Sequence, residues 1–247
     1  MEILYQTDKK TVYKDGDNLV KLFCEGYPKS DILNEAVNQA RVEEKTNLNI
    51  PKIKGVQMID GKWAIISEYI EGETLAELMA KNPDKLEEYL NLFVDLQIEV
   101  SRQTVPMLSL NRDKMHAKIS ASSYKATIRY ELHMRLDGLP KHKKLLHGDF
   151  CPENIVIKPD GTPCIIDWAH ATQGNASADA ARSYLIFCLQ GRQDIADKYL
   201  KLFCEKTDTA IQYVQRIMPI VACSQSTKCK PGEKELLDRW VDVCDWQ

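Results

Sequence analysis

The sequence has no run of eighteen consecutive apolar residues, so it offers no membrane span. It has no surplus of positive charge either. Lys and Arg number 33 against 36 Asp and Glu, which gives a formal net charge of −3 and a pI of about 6.0. Without a basic field, nothing draws the chain to nucleic acid, and the short basic run Lys141 to Lys144 reads as solvated. Eight cysteines are present, yet none forms a CxxC pair and no Cys/His cluster has the spacing of zinc ligands. Most sit in apolar stretches such as Leu22-Phe23-Cys24 and Leu202-Phe203-Cys204, as reduced core residues of a cytoplasmic protein do. The opening MEILYQTDKK lacks the basic-then-apolar order of a signal peptide. Internal repeats and low-complexity linkers are missing as well. What remains is an ordinary globular composition, 44% hydrophobic and 28% charged over 247 residues, enough for one large domain or two lobes.

One stretch carries the chemistry. Residues His147 to Trp168 read HGDFCPENIVIKPDGTPCIIDW. Two apolar runs, Ile155 to Ile157 and Cys164 to Ile166, flank Pro159-Asp160-Gly161-Thr162. β-Branched runs around a Pro/Asp/Gly turn predict a hairpin. Asp149 and Asn154 lie just before its first strand and Asp167 ends its second, so two carboxylates and an amide meet at one end of a small sheet. Phosphoryl transfer from a nucleotide needs such a set: one carboxylate for the acceptor hydroxyl, and oxygen ligands for magnesium.

The spacing His147-Gly148-Asp149, then Asn154, then Ile166-Asp167-Trp168 resembles the aminoglycoside phosphotransferase and choline kinase family. The corresponding protein-kinase pieces are H-R-D-x-x-x-x-N and D-F-G. Here Gly148 replaces the Arg and Trp168-Ala169 replaces Phe-Gly, as fits the small-molecule branch. The resemblance implies an α+β, bilobal, protein-kinase-like fold with a small antiparallel-sheet N-lobe over residues 1–70 and a mostly helical C-lobe over 71–247. It also implies the roles. Asp149 accepts or orients the acceptor proton, and Asn154 and Asp167 hold Mg2+. Lys21 touches the α- and β-phosphates of ATP or GTP and Glu35 holds Lys21. The Glu68 carbonyl and the Ile70 N–H meet the adenine edge. Asp179 resembles the family's helix Asp that binds the catalytic-loop backbone, where it would stay ionised, and His147 packs beneath that loop. Asp167 and Asp179 are only twelve positions apart and no A-P-E occurs, so there is no room for a protein-kinase activation loop. The implied partner is a small-molecule hydroxyl acceptor, with aminoglycosides, choline, ethanolamine, homoserine, methylthioribose and sugars among the family's substrates.

The N-terminal third supports those assignments from its own pattern. Ile3 to Tyr5, Thr11 to Tyr13 and Leu19 to Phe23 read as three strands, with Asp15-Gly16-Asp17-Asn18 as the second turn. The first turn, Gln6 to Lys10, holds no glycine, where protein kinases carry a Gly-rich loop. Thr7 and Thr11 hydroxyls, Lys9 or Lys10, or backbone N–H groups are the candidates to replace it. Lys21, flanked by apolar residues, suggests a buried stem with a paired ammonium. Pro28 to Glu44 predicts a helix with Ser30 or Asp31 as N-cap and Ile32, Leu33, Ala36, Val37 and Ala40 as its apolar face; Glu35 sits beside that stripe. Gly55 to Ile59 and Trp63 to Ile70 read as strands around an Asp60-Gly61 turn.

Beyond residue 72 the pattern turns helical. Thr74 and Glu77 predict a capping box, and further helices are expected over 85–104, 121–137, 177–190, 192–206, 208–225 and 231–244. The last carries Asp238, Asp242 and Asp245 on one face with Trp240 and Trp246 beside them, a spacing suited to a cationic amine. An aminoglycoside or amino-alcohol acceptor is the resulting expectation. The alternative to a kinase is a pseudokinase-like nucleotide-binding module without turnover, for which the glycine-free first turn is the chief argument.

Overall fold

The computed structural model describes residues 2–242. In chain order the first elements are β1 (Glu2–Gln6), β2 (Lys10–Asp15), β3 (Asn18–Phe23), α1 (Lys29–Lys45), β4 (Ile53–Ile59), β5 (Lys62–Glu68), β6 (Glu73–Thr74) and α2 (Leu75–Lys81). Then follow α3 (Leu86–Arg102), α4 (Asn111–Ala121), α5 (Ala126–Asp137), β7 (Lys144–Leu146), β8 (Ile155–Ile157), β9 (Pro163–Ile165) and β10 (Thr172–Gly174). The last are α6 (Ala176–Leu189), α7 (Gln193–Thr207), α8 (Ile211–Gln215), α9 (Met218–Ser226) and α10 (Lys234–Asp242). Contacts divide the chain into two compact units. One holds the chain up to Leu86 together with Pro152–Ala171; the other holds Glu87–Cys151 and everything from Thr172 on.

The first unit is built on a five-stranded antiparallel sheet in the order β1-β2-β3-β5-β4. The Asp60-Gly61 turn is the one the sequence predicts: both residues have positive φ, 48° and 78°, and join β4 to β5 with two residues. Side chains alternate across the sheet. Val20 packs with Tyr13 and Ala64 on one face, while Phe23 packs with Ile65 and with Ile32 and Ala36 of α1 on the other. Lys21 therefore shares the α1 face with Phe23. Helix α1 starts at Lys29 with Pro28 as its N-cap, not with Ser30 or Asp31. Proline lacks the N–H that a helix start leaves unpaired, and its carbonyl accepts from the N–H groups of Asp31 and Ile32. Leu33 and Val37, expected on the buried face, are 38% and 42% exposed; Asn38 is buried instead and donates to the Ala169 carbonyl.

The hairpin of the central stretch forms as β8 and β9, one residue earlier in its second strand than the apolar run suggests. Asp160 closes its turn by accepting from the Thr162 N–H at 2.9 Å. β6 adds a third strand to it, pairing Glu73 with Ile157 and Thr74 with Val156. The Thr74–Glu77 capping box is present at the start of α2.

The second unit centres on α3. Its Phe93 is fully buried and lies 4.8 Å from the Phe150 ring, 5.4 Å from Tyr199 and 5.8 Å from Phe187. Gln97 accompanies it: its amide donates to Ser183 Oγ at 3.0 Å and accepts from the Tyr199 hydroxyl. Two expected helices differ. The helix expected over 121–137 begins only at Ala126, as α5, and the residues before it form an unexpected helix, α4, which ends where the Ser122 hydroxyl turns back to the Ile119 carbonyl. In place of 208–225 there are α8 and α9, because Pro219 sits in the first turn of α9 and cannot donate to a continuing helix. Strand β7 pairs antiparallel with β10.

Gly72, just before β6, has φ 151°, and a Cβ there would lie 2.2 Å from the Ile157 carbonyl oxygen. Gly72→Ala should therefore destabilise the protein by about 1–3 kcal/mol through backbone strain alone. Urea unfolding should show a lower midpoint at an unchanged slope, and a wild-type midpoint would contradict this close approach.

Candidate active site

In the first unit, three predicted residues meet. Lys21 Nζ is ion-paired with Glu35 and lies 3.1 Å from Asp167 Oδ1. The sheet supplies Lys21 on its α1 face, and Glu35 follows the buried Ile32 of α1 by one turn. Burial alone would lower the Lys21 pKa, but Asp167 and Glu35 more than reverse that and hold it above the usual lysine value. Asp167 itself has left-handed backbone, φ 61°, at the exit of β9, a conformation that Asp tolerates better than most residues. The following Trp168 is fully buried and its indole N–H donates to the Ile165 carbonyl at 2.9 Å, which pins the corner. Asn154 is brought beside this corner by the backbone, since the Ile166 N–H donates to the Asn154 carbonyl at 2.9 Å.

The donor set fits magnesium. Among the described residues no cluster of three His, Cys, Asp or Glu forms, so there is no all-protein cage. Magnesium does not need one; it takes one or two protein oxygens and fills the rest with phosphate and water. One carboxylate and one amide on adjacent backbone meet that requirement.

The glycine-free first turn is closed by Thr7. Its Oγ1 accepts from the N–H groups of Lys9 and Lys10 at 3.3 and 3.2 Å. Lys10 Nζ lies near Lys21: desolvation first, and then the Lys21 charge, lower the Lys10 pKa, with Asp167 and Glu35 opposing. Glu68 ends β5, its N–H bonded to the Lys52 carbonyl at 2.8 Å, and Ile70 follows in the segment between β5 and β6.

In the second unit, Asp179 is buried in the first turn of α6 and accepts from the N–H groups of His147 and Gly148, each at 2.8 Å. Burial pushes its carboxyl up, while His147 and the two N–H donors pull the other way. His147 is fully buried beneath the loop, as expected. The Ser183 hydroxyl, one turn on from Asp179, donates to the Phe150 carbonyl at 2.7 Å. Asp149 stands in this anchored loop, and Arg182 reaches it: Nη2 to Oδ1 is 3.0 Å, with side chains 15% and 32% exposed. Arg182 Nη1 also donates to Gln225 of α9 at 2.7 Å.

Sequence reasoning assigned no role to Arg182, although its place one turn past Asp179 was a usable signal. It also missed Lys118. Lys118 is pulled down to about 8, by desolvation first and then by Lys228, Arg182 and Lys114, against a weaker pull from Asp149. It lies on α4, a helix with too few apolar residues to show a stripe. A cavity of about 360 Å³ in the second unit is lined by residues such as Leu110, Met115, Leu136, Ile217 and Val221. It contains none of the predicted site residues. In the acidic stripe of α10, Asp238 accepts from the Tyr124 hydroxyl at 2.7 Å and Trp240 packs edge-on against Tyr184. The Asp242 side chain, Asp245 and Trp246 lie outside the described residues. The seven cysteines among the described residues are thiols outside any disulfide, and no described helix is long and apolar enough to cross a membrane.

A buried Lys–Glu pair on an antiparallel sheet, an Asp at a left-handed corner after a hairpin, and an H-G-D loop tied to a helix Asp define a protein-kinase-like fold. The chain belongs to the phosphotransferase enzyme family, whose family model matches residues 10–213. Solved structures agree on the fold. One is a thermostable mutant of aminoglycoside phosphotransferase APH(4)-Ia in ternary complex with AMP-PNP and hygromycin B; the TM-score is 0.71 at 14% identity, over 98% of this chain and 90% of that one. Choline kinase LicA from Streptococcus pneumoniae gives 0.64 at 16% identity, over 100% and 95%. The aminoglycoside-3'-phosphotransferase of type VIII gives 0.64 at 12% identity, over 90% and 92%. No curated protein matches the chain by sequence.

The Lys118 shift has a signed consequence. Its folded pKa lies below its unfolded value, so between the two the unfolded chain holds the proton and the folded chain does not. Stability must then rise with pH from about 8 to about 10.4 on this residue's account. Urea melts of wild type and Lys118→Gln across that window should diverge, wild type gaining as pH rises; parallel curves would rule the shift out.

Proposed function

We propose that the chain is an ATP- or GTP-dependent kinase that moves the γ-phosphate to a hydroxyl of a small molecule. The observation that carries this reading is the Lys21–Glu35–Asp167 cluster, within a chain of the phosphotransferase enzyme family. Phosphoryl transfer asks mainly for positioned charge. On this reading Lys21 binds the α- and β-phosphates, and Glu35 fixes the ammonium so that its direction is set before nucleotide arrives. Asn154 and Asp167 would hold the magnesium ion, which supplies charge neutralisation at the phosphates. The Glu68 carbonyl and the Ile70 N–H take the adenine edge. Asp149 accepts or orients the acceptor proton, with Arg182 on Oδ1 setting the carboxylate's orientation. Residues 1–70 serve the nucleotide, and 71–247 supply the catalytic loop, the metal site and the acceptor pocket, in a protein we place in the cytoplasm.

The nucleotide part of the reading draws support from the AMP-PNP and ADP complexes of APH(4)-Ia. An aminoglycoside or amino-alcohol acceptor draws support from hygromycin B in one matched structure and from the name choline kinase in another. The charge around Asp149 argues for a different class, developed below. A module that binds nucleotide without turnover is the second reading, favoured by the glycine-free turn closed on Thr7.

A coupled nucleotide-turnover screen over small hydroxylated compounds separates the two readings. With a reactive acceptor in hand, Asp149→Asn should keep magnesium-nucleotide affinity and lose transfer by about 10²–10⁴-fold. Asp167→Ala should weaken nucleotide binding as well. Full activity in Asp149→Asn would remove its assignment as the base, and nucleotide binding without any turnover would favour the binding module.

A further inference from the structure

The surroundings of Asp149 within the second unit carry an unusual charge. Arg182 of α6 bonds it directly at 3.0 Å. Helix α6 is tied to α9 through the Arg182–Gln225 bond at 2.7 Å, and Lys228 follows two residues past the end of α9. Helix α4 packs on α9 from another side and presents Lys114 and Lys118 one turn apart. Desolvation is the first cause lowering all three lysines, and they then feel one another: Lys228 lowers both Lys114 and Lys118, Arg182 lowers both Lys118 and Lys228, and Lys114 lowers Lys118. The carboxylates that act on this group are Asp149 and Glu233. Glu233 is shared with the Gln225 amide at 3.3 Å and the Lys230 N–H at 3.1 Å. Three cations, Arg182, Lys118 and Lys228, thus act on the residue read as the hydroxyl-activating carboxylate, with Lys114 behind Lys118. Among the described residues, neither Lys118 nor Lys228 has a carboxylate within ion-pair distance.

Clustered cations repel, and partly desolvating them adds to the cost. A fold retains such a group where an anion relieves it. A cationic acceptor would meet the repulsion head-on. We propose that the acceptor carries an anionic group, a carboxylate or a phosphate, bound by Lys118, Lys228 and Arg182 beside Asp149. This inference rests on the reading of Asp149 as the residue that handles the acceptor hydroxyl. It assigns the acceptor to the hydroxy acids or phosphorylated alcohols, opposite in charge to aminoglycosides and choline. The lysines then supply ground-state binding, so their loss falls on KM more than on kcat.

The test uses the full chain and two anions, with sulfate standing for a phosphate group and acetate for a carboxylate. Tm is followed against each anion at fixed ionic strength held with chloride. One of the two should raise Tm saturably in wild type and so name the group. Its apparent affinity should fall about 10-fold, roughly 1.4 kcal/mol, in Lys118→Gln and again in Lys228→Gln. Lys201→Gln, at an exposed lysine of α7 outside both sites, should match wild type; the Tm of each variant in chloride alone reports its folding. An anion effect that is absent, or unchanged in both Lys118→Gln and Lys228→Gln, would overturn the proposal. A turnover comparison of glycerate, glycerol 3-phosphate, glycerol and 3-aminopropane-1,2-diol should favour one of the two anions, and preference for the amine would overturn it too. The underlying reading fails separately: if the chain neither binds nor turns over magnesium-nucleotide, phosphoryl transfer falls while the Tm series still scores the anion site.

Discussion

A lysine ammonium cannot be left alone on the packed face of a sheet. Lys21 alternates with Val20 and Leu22 and so must point where Phe23 points, toward α1. Burying a cation there without partners would cost several kcal/mol, and the surrounding chain is arranged to prevent it. Helix α1 places Glu35 beside its buried stripe, and the corner after β9 turns Asp167 inward. Each of those placements has its own support. Asn38 ties α1 to the Ala169 carbonyl, and Trp168 locks the corner through Ile165. The pair of carboxylates reverses the effect of burial, so the lysine stays charged. A cation fixed by two acids from distant parts of the chain is pre-organised, and pre-organised charge is worth most to a reaction that moves a phosphoryl group.

The second unit solves a different problem, the positioning of an acidic loop. A loop residue is only as precise as the backbone beneath it. Here the backbone at His147 and Gly148 is held by the Asp179 carboxylate and that at Phe150 by Ser183, and both holders lie on α6 one turn apart. Ser183 is in turn bonded by Gln97, which also takes the Tyr199 hydroxyl. Asp149 is therefore tied through α6 to the centre of the helical unit. Arg182, on the next turn of the same helix, completes the control by fixing one oxygen of the carboxylate itself.

What was legible in the sequence follows from how local each signal is. Hairpins announced by Asp-Gly and Pro-Asp-Gly turns, the Thr74–Glu77 box and the amphipathic α3 depend on near neighbours, and all are present. The kinase-like fold was legible because three polar residues kept family spacing around one hairpin. The break at Pro219 was less so, because apolar periodicity continues across it while a missing N–H interrupts the ladder. α4 was invisible, with two lysines, an arginine and a histidine among eleven residues. The lysines by Asp149 were illegible for a related reason. Their meaning lies in the convergence of α4, α6 and α9, which no local pattern encodes.

The glycine-free first turn shows how the same chemistry can be redistributed. A Gly-rich loop serves phosphates by leaving backbone N–H groups unpaired and close to the ligand. Thr7 removes that option here, because its hydroxyl already takes the N–H groups of Lys9 and Lys10 and bonds the Lys10 carbonyl. Of the candidates the sequence offered, the Lys9 and Lys10 N–H groups and the Thr7 hydroxyl are thus committed, which leaves the lysine side chains and the Thr11 hydroxyl. Lys10 is two residues from Val12, the partner of Lys21 across the sheet, and so shares its face. Desolvation first, and then the second ammonium, lower its pKa. Two lysines on one face repel each other less when a polyanion lies between them and solvent, just as the cations around Asp149 would. On the proposed reading, then, phosphate binding in this chain rests on clustered lysine side chains where a glycine loop would rest on the backbone, and the cost of keeping those charges together in the free protein is recovered when the nucleotide arrives.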